Sequence, residues 1–196
     1  SLALAGSGAS QNITNTTKAS VENSTISTDY LALNSTTESS LVSVAGQVSV
    51  ETSQKGVAAG LTWAENSMNN TTGAYAQGIT LNGINGAETN LALAAENKAK
   101  TWAVAVGASV SLGNGAAEGA YAENSGKNNT EAIVDKYETK NEQGSVTYTR
   151  DNTINNAKNI SVTAKDTTVE KGIAGTITVA AGQNAMASIG GAVVYN

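Results

Sequence analysis

Residues 102–124 read WAVAVGASVSLGNGAAEGAYAEN, and this stretch decides the fold. Every second residue from Trp102 to Leu112 is apolar, and the residues between them are small. Alternation with period 2 is the pattern of a β-strand that buries one face. The residues predicted to point inward are Val104, Val106, Val110 and Leu112. The intervening Ser109 and Ser111 are then predicted to point outward.

Composition indicates a thin core and an uncharged polar surface. Of 196 residues, 40% are hydrophobic but only 4% are aromatic and none is Phe, so Ala, Val, Leu and Ile must fill the interior. Charged residues make up 14%, against roughly 25% in a typical soluble domain. The net charge of −5 and the scattered Lys and Arg argue against a nucleic-acid partner, which requires clustered cations.

Two residue types that carry much protein chemistry are missing. The chain has no Cys, so it can form no disulfide and has no thiolate ligand. It also has no His, the commonest general base in enzymes. It also has no run of about 18 apolar residues for a transmembrane helix. We therefore predict no intrinsic catalysis, no cofactor and no metal site.

Short near-copies recur along the chain and predict a repeat. TKASVEN at 17–23, TGAYAQG at 72–78 and EGAYAEN at 118–124 align, with a weaker fourth at 185–191. Their central alanines are 55, 46 and 67 residues apart, and a coil of about 23 residues accounts for the last two intervals. This alignment makes Tyr75 equivalent to Tyr121. It also puts Glu22–Ser24 in register with Glu123–Ser125, but leaves Glu65–Ser67 out of register.

The repeat texture stops at 135–156, DKYETKNEQGSVTYTRDNTINN, where charge density rises. Two strands, 137–140 and 145–150, are predicted to form a protruding hairpin around 141–144. An extra, more polar coil is the alternative. Otherwise residues 1–196 are interpreted as one β-helical segment, a fragment of a larger protein.

Short strands, Gly and Asn turns, and the absence of helical periodicity favour an all-β solenoid of stacked parallel strands. The predicted fold is a parallel β-helix. A β-sandwich would not explain the near-copies. A transmembrane barrel is disfavoured because two Trp and six Tyr are too few for two aromatic girdles.

The texture also resembles a known group of proteins. Lys-Gly-Val-Ala at 55–58 and Lys-Gly-Ile-Ala at 171–174 precede alternating strands. The pattern also includes Asn-Asn-Thr-Thr at 69–72 and Ala-Tyr-Ala-Glu-Asn at 120–124. This pattern resembles the β-helical exoproteins of the filamentous-haemagglutinin type, and is most similar to repeat regions of fusobacterial-type leukotoxins and related very large adhesins. The resemblance implies a right-handed parallel β-helix, export through an outer-membrane transporter or a fused barrel, and a secreted or cell-surface location.

Several residues are candidates for sites. Trp63, Trp102, Tyr75 and Tyr121 could stack on sugar rings, although packing in the core or at coil ends is the expected role of the two Trp. An outward tyrosine ladder is expected for Tyr75 and Tyr121.

Glycosylation sequons begin at Asn12, Asn15, Asn23, Asn34, Asn69, Asn70, Asn128 and Asn159. Carboxylates that could bind calcium or act in glycoside chemistry are Glu131, Asp135, Glu138 and Glu142, for which a solvated charged loop is the expected reading. Gly113–Gly115 is interpreted as a turn.

Three functions stay open at this point. The first is a structural or adhesive segment of a large secreted or surface-exposed bacterial exoprotein, with a host cell surface, extracellular matrix or glycans as partners. The second is the repeat region of a secreted cytotoxin, and the third is a polysaccharide-acting β-helix enzyme. Because neither terminal strand carries a capping charge, the isolated chain is predicted to associate end to end.

Overall fold

The computed structural model describes residues 1–183, 185 and 187–196 of the chain. Its long strands are β1 (Leu2–Glu22), β3 (Tyr30–Glu51), β4 (Val57–Gln77), β6 (Thr89–Ser111), β7 (Gly115–Asp135) and β11 (Ala157–Ala180), and β12 (Ala187–Tyr195) is shorter. The short strands are β2 (Thr25–Ser27), β5 (Thr80–Asn82), β8 (Tyr137–Lys140), β9 (Val146–Arg150) and β10 (Thr153–Ile154). A single 3₁₀ turn, Ile84–Gly86, is the one helical element of the described residues.

The strands stack in three parallel sheets, so the chain is an all-β parallel β-helix, as predicted. One long sheet has the order β1-β4-β7-β12 and the opposite long sheet has the order β11-β6-β3. A narrow sheet, β10-β5-β2, joins them at one end of the coil. Each coil therefore runs along one long strand, turns through a short strand, and returns along a second long strand.

The coil is much longer than the predicted 23 residues, and that prediction is wrong. Leu2 pairs with Val57, Val57 with Gly115, and Gly115 with Ala187, which makes successive coils 55, 58 and 72 residues long. The reason is that each coil contains two strands of 21–24 residues, whereas the turn residues suggested strands of five to ten.

The register keeps some of the predicted repeat and overturns the rest. Ala19 pairs with Ala74, so these two near-copies share a register, but they lie in adjacent coils and not two coils apart as a 23-residue repeat requires. Tyr75, however, lies beside Ile133, and Tyr121 lies beside Trp63, so the two tyrosines are not equivalent and form no ladder. Residues 65–67 pair with 123–125, although the predicted repeat had left them out of register. The near-copies at 72–78 and 118–124, which are 46 residues apart, therefore lie at different positions along neighbouring coils.

The apolar core is concentrated where the narrow sheet closes the coil. The buried cluster there is Ala74, Ala76, Ile79, Leu81, Leu91, Leu93 and Ala95. The four large side chains are at most 1% exposed, and burying each contributes about 1.5–3 kcal/mol. Midway along the coil, Leu41 and Met68 are buried beside Ala99, and beyond them the buried side chains are small or polar.

The predicted faces of the 102–112 strand are reversed. Ser109 and Ser111 are fully buried, whereas Val106 is 43% exposed and Leu112 48% exposed. The cause is a narrow interior, in which alanines from both long sheets pack directly on one another. This cluster is Ala45, Ala64, Ala103, Ala105, Ala120 and Ala122. Alanine and serine fit between the sheets, so the valines of the same strands point outward.

The segment between β7 and β10 contains an antiparallel hairpin of β8 and β9. Its turn is closed by Asn141, whose Oδ1 accepts hydrogen bonds from the backbone N–H of Gln143 at 3.1 Å and of Ser145 at 2.9 Å. Gly144 follows with φ = 80°, in the left-handed region that favours glycine. The hairpin accounts for the greater length of the third coil.

Arg150 fixes the base of this hairpin to the first two coils. Its Nη2 donates to the Ser24 carbonyl at 3.2 Å, to Thr25 Oγ1 at 2.8 Å and to Thr80 Oγ1 at 2.9 Å. Tyr148 adds a hydrogen bond from its hydroxyl to Asn23 Oδ1 at 3.3 Å. The hairpin is therefore held against the narrow end of the coil by charge-assisted hydrogen bonds.

Arg150→Ala is expected to increase cleavage of the hairpin several-fold while leaving the main thermal transition nearly unchanged, because it releases the hairpin but no coil. A glutamyl endopeptidase that cuts after Glu142 measures the rate without depending on the mutated arginine. Lys140→Ala, at an exposed position on the same hairpin, is the control. Equal cleavage rates in the two variants would contradict a role for Arg150 in holding the hairpin.

Candidate functional surface

The outer surface of the flattened coil is divided lengthwise into an apolar half and a polar half. We call face A the outward residues of 2–8, 57–63, 115–121 and 187–193, and face C the outward residues of 44–50, 104–110 and 173–179. Among the described residues of these two faces, none that points outward is charged. Charged and amide side chains begin beyond them, at Glu65, Glu123 and Lys171. The two apolar faces therefore lie back to back at one end of the coil.

Their exposure is unusual for a soluble surface. Leu4 and Leu61 are each 71% exposed on face A, and Val48 is 67% exposed on face C. The largest apolar patch on a typical monomer covers about 300–600 Å². Surfaces above that range mark sites of interaction.

Face A contains a shallow trough of about 950 Å³. Glycines at positions 6, 119 and 191 form its floor in one register row, with Leu61 between the first two. Leu4, Trp63 and Ile189 rise at its sides. Leu61 stands in this row with its Cδ2 over Gly119, so the space without side chains lies over Gly6 and Gly191, where side chains from another surface can enter.

Trp63 lies on face A and Trp102 just beyond face C, both on the outside of the coil and within long strands, so their predicted packing in the core or at coil ends is wrong. Trp63 on face A is 54% exposed and lies against Gly8, where an added Cβ would come within 2.9 Å of the indole. Trp102 lies at the border of face C, and Lys171 Nζ is 4.8 Å from its ring centroid. This distance is within the range of a cation–π interaction.

Tyr75 has a different environment, in the polar half of the β1-β4-β7-β12 sheet. Its hydroxyl donates to Glu131 Oε2 at 3.1 Å, and Lys18 Nζ lies 4.9 Å from the ring centroid. Burial, followed by the hydrogen bond to Glu131, raises the pKa of the Tyr75 phenol. Tyr75 therefore stays a neutral hydrogen-bond donor at physiological pH.

Inside the coil, asparagines of successive layers form hydrogen-bonded ladders that sequence reasoning missed. Asn66 Nδ2 donates to Asn124 Oδ1 at 3.0 Å, and Asn124 Nδ2 donates to Asn196 Oδ1 at 2.7 Å. In a second ladder, Asn15 Nδ2 donates to Asn70 Oδ1 at 3.2 Å. The ladders satisfy buried amides that would otherwise cost free energy. The register row Gln11–Asn66–Asn124 was the available signal, but it requires the true coil length.

The second ladder also connects the two long sheets. Asn70 Nδ2 donates to Asn97 Oδ1 at 3.1 Å, and Asn97 Nδ2 donates to Asp166 Oδ2 at 3.0 Å. Asn70 and Asn97 are fully buried. The polar interior thus fixes the distance and the register between the sheets.

A buried carboxylate, Glu118, is the most chemically distinctive interior group. It is 4% exposed and accepts hydrogen bonds from Ser109 Oγ at 2.7 Å, from Thr62 Oγ1 at 3.5 Å and from Gln47 Nε2. Gly60 and Gly107 leave the space that it occupies, since an added Cβ at either would come within 2.4 Å of its carboxylate oxygens. Neutral donors therefore stabilise this group, which the sequence had not singled out.

The structure sorts the predicted glycosylation sites by accessibility. Asn12, Asn34 and Asn69 point outward and are exposed. Asn15, Asn70 and Asn128 point inward, and the first two belong to a ladder. Asn23 and Asn159 are exposed, and Asn23 accepts the hydrogen bond from Tyr148 described above. A glycan could be added to the outward sites without opening the coil.

The four candidate carboxylates are not brought together as one site. Glu131 binds Tyr75, Glu138 pairs with Lys136 at 2.5 Å, and Glu142 lies in the hairpin turn. Within the described residues, no group of three or more acidic side chains is arranged to hold a metal ion.

The described part of the chain contains no helix of the length and apolarity needed to cross a membrane. Gly113 and Asn114 form the turn before β7, as predicted.

A small charged patch lies on the polar half of the β11-β6-β3 sheet. Lys98 Nζ is 3.1 Å from Glu96 and 3.3 Å from Glu38, and Lys165 Nζ is 3.5 Å from Glu96. The hydrogen bond from Lys98 lowers the pKa of the Glu96 carboxyl, and the bond from Glu96 raises the pKa of Lys98. These exposed pairs align side chains of adjacent coils and contribute little to stability.

Comparisons with known proteins found no relative of this chain. No protein-family model, curated protein or solved structure matches the chain. The class of protein is therefore defined by the fold alone, a parallel β-helix with coils of two long strands.

Proposed function

We propose that this chain is a structural and adhesive β-helical segment of a large secreted or surface-exposed bacterial exoprotein, without catalysis of its own. The observation that carries the proposal is continuous pairing between coils. β1 pairs with β4, and β4 with β7, residue for residue over 21 positions without a bulge. Such stacking produces a rod whose length depends only on the number of coils.

The interior supports the same function. Side-chain ladders and buried alanines fill it from coil to coil, and they bond each layer to the next. A rod built in this way resists bending and pulling, because each layer is held by a full set of backbone hydrogen bonds along both long strands. The bacterial source and the secretion route, through an outer-membrane transporter, rest on the resemblance given above. No observation in the described residues favours the cytotoxin or the polysaccharide-acting enzyme.

Adding coils tests the structural role. Three tandem copies of residues 57–114, inserted after Asn114, should lengthen the particle by about 14 Å, since adjacent strands lie about 4.8 Å apart. The free energy of unfolding and its dependence on urea should both increase, because each added coil buries more surface. Small-angle scattering measures the length and circular dichroism follows unfolding.

The control carries three copies of the same 58 residues in scrambled order. It should gain mass without the rise in stability, and its scattering should be that of the original rod with an unfolded insertion and not of a longer rod. A particle that does not lengthen with the native copies would overturn the proposal that this segment is an extensible rod.

A further inference from the structure

The geometry points to a lateral interface between copies of this chain, in which face A of one copy packs on face C of the next. Both faces lie at the same end of the coil, on opposite sides of the molecule. A chain with one such face would form a closed pair. A chain with two different apolar faces can be covered on both sides only by a continuing stack.

The size of the faces fits a second copy of the chain. The outward side chains of each face leave an area on the order of 700 Å² open to solvent, close to the roughly 800 Å² per partner of a standard interface. Neither face carries an outward charge among the described residues, so nothing on them opposes contact in a chain of net charge −5. Flat parallel sheets also pack well face to face, at a spacing of about 10 Å.

The two faces are complementary in shape. On face C, β-branched side chains form register rows, among them Val44–Val104–Ile173 and Val48–Ala108–Ile177. On face A, the row of glycines leaves the trough described above. A row from face C can enter that trough beside Leu61 and Trp63. Two copies of face A would instead oppose trough to trough and leave it unfilled.

Other occupants fit less well. The edge strands β1 and β3 pass through the apolar half with one row of backbone N–H and C=O groups unpaired in this chain, and hydrocarbon gives such groups no partner. Lateral packing of a second copy leaves those edges in water. A glycan would require convergent polar groups, whereas the side chains that rise from the trough are apolar.

The test requires a background in which coils cannot associate end to end. The backbone N–H of Val57 donates to the Ser1 carbonyl, and that of Leu112 donates to the Glu51 carbonyl. In β1 and β3, the backbone N–H and C=O groups of odd-numbered residues therefore point to the next coil. Even residues, such as Thr14 and Thr36, direct their N–H to the free edge. Thr14→Pro with Thr36→Pro therefore removes free-edge donors without breaking a ladder bond.

In this background, sedimentation velocity over about a hundredfold range of concentration should show reversible growth beyond a dimer. Leu61→Lys on face A and Val48→Lys on face C should each reduce the apparent association constant about a hundredfold or more, because each buries an unpaired charge in the interface. A mixture of the two variants should form dimers, since each retains one intact face. Asn69→Lys, in the exposed polar half, is the charge-matched control and should associate like the background.

Each alternative result overturns the proposal. A background protein that stays monomeric would show that the faces do not bind each other. Loss of association in one variant only, with the other variant forming homodimers and no mixed dimer in the mixture, would show pairing of identical faces. Flotation with phosphatidylcholine vesicles at concentrations where the protein is otherwise monomeric would assign the faces to lipid. Circular dichroism of every variant must show the same β signal, and Leu61→Ala serves in place of a lysine variant that does not fold.

Discussion

Ser109→Asp is expected to destabilise this protein by about 3–5 kcal/mol, a large part of the stability of a typical domain. Ser109 is fully buried and donates a hydrogen bond to Glu118 at 2.7 Å. The substitution replaces that donor with a second carboxylate beside the first, and within the described residues no Lys or Arg contacts Glu118 to offset the repulsion. Urea unfolding followed by circular dichroism measures the loss.

The matched control is Val106→Asp, on the same strand with the opposite orientation. Val106 is 43% exposed, so its replacement should change stability by less than about 1 kcal/mol. It should also weaken lateral association, which distinguishes an interface position from a core position. A larger loss for Val106→Asp than for Ser109→Asp would mean that the valine face is buried and the structure's register is wrong.

The second large effect is expected at Asn66, where replacement by Ala should cost about 2–4 kcal/mol. Asn66 is fully buried, accepts a hydrogen bond from Ser43 Oγ at 2.8 Å, and donates to the Trp102 carbonyl at 2.8 Å and to Asn124 Oδ1 at 3.0 Å. Truncation leaves three buried polar groups without this partner. The cost therefore exceeds that of an ordinary cavity of the same size.

Two further variants separate hydrogen bonding from packing. Asn66→Asp keeps the shape but replaces the Nδ2 donor with an acceptor facing two oxygens, so it should be at least as destabilising as Asn66→Ala. Asn69→Ala, on the same strand and pointing outward, should change stability by less than about 0.5 kcal/mol. If Asn66→Asp were tolerated, the ladder would not be a source of stability.

Part of the candidate surface could have been predicted from sequence and part could not. The alternation in residues 102–112 correctly places Val106 and Ser109 on opposite faces of a strand, since side chains of a strand alternate regardless of context. Alternation does not state which face is inside. The usual assumption that the larger apolar side chain is buried fails here, because the interior beside this strand is filled by alanines, by Ser109 and Ser111, and by the hydrogen-bonded Glu118.

Sequence alone determined the local properties of this protein and its class of fold: β-strands, Gly and Asn turns, parallel stacking and the likeness of residues 17–22 to 72–77, which the structure stacks in adjacent coils. These follow from backbone preferences and side-chain alternation, which act over a few residues. Only the tertiary structure decided the coil length, the buried face, the asparagine ladders and the two outer apolar faces. Each of these depends on which distant strands meet and how closely the sheets approach, and residues 72–78 and 118–124 resemble each other without being stacked.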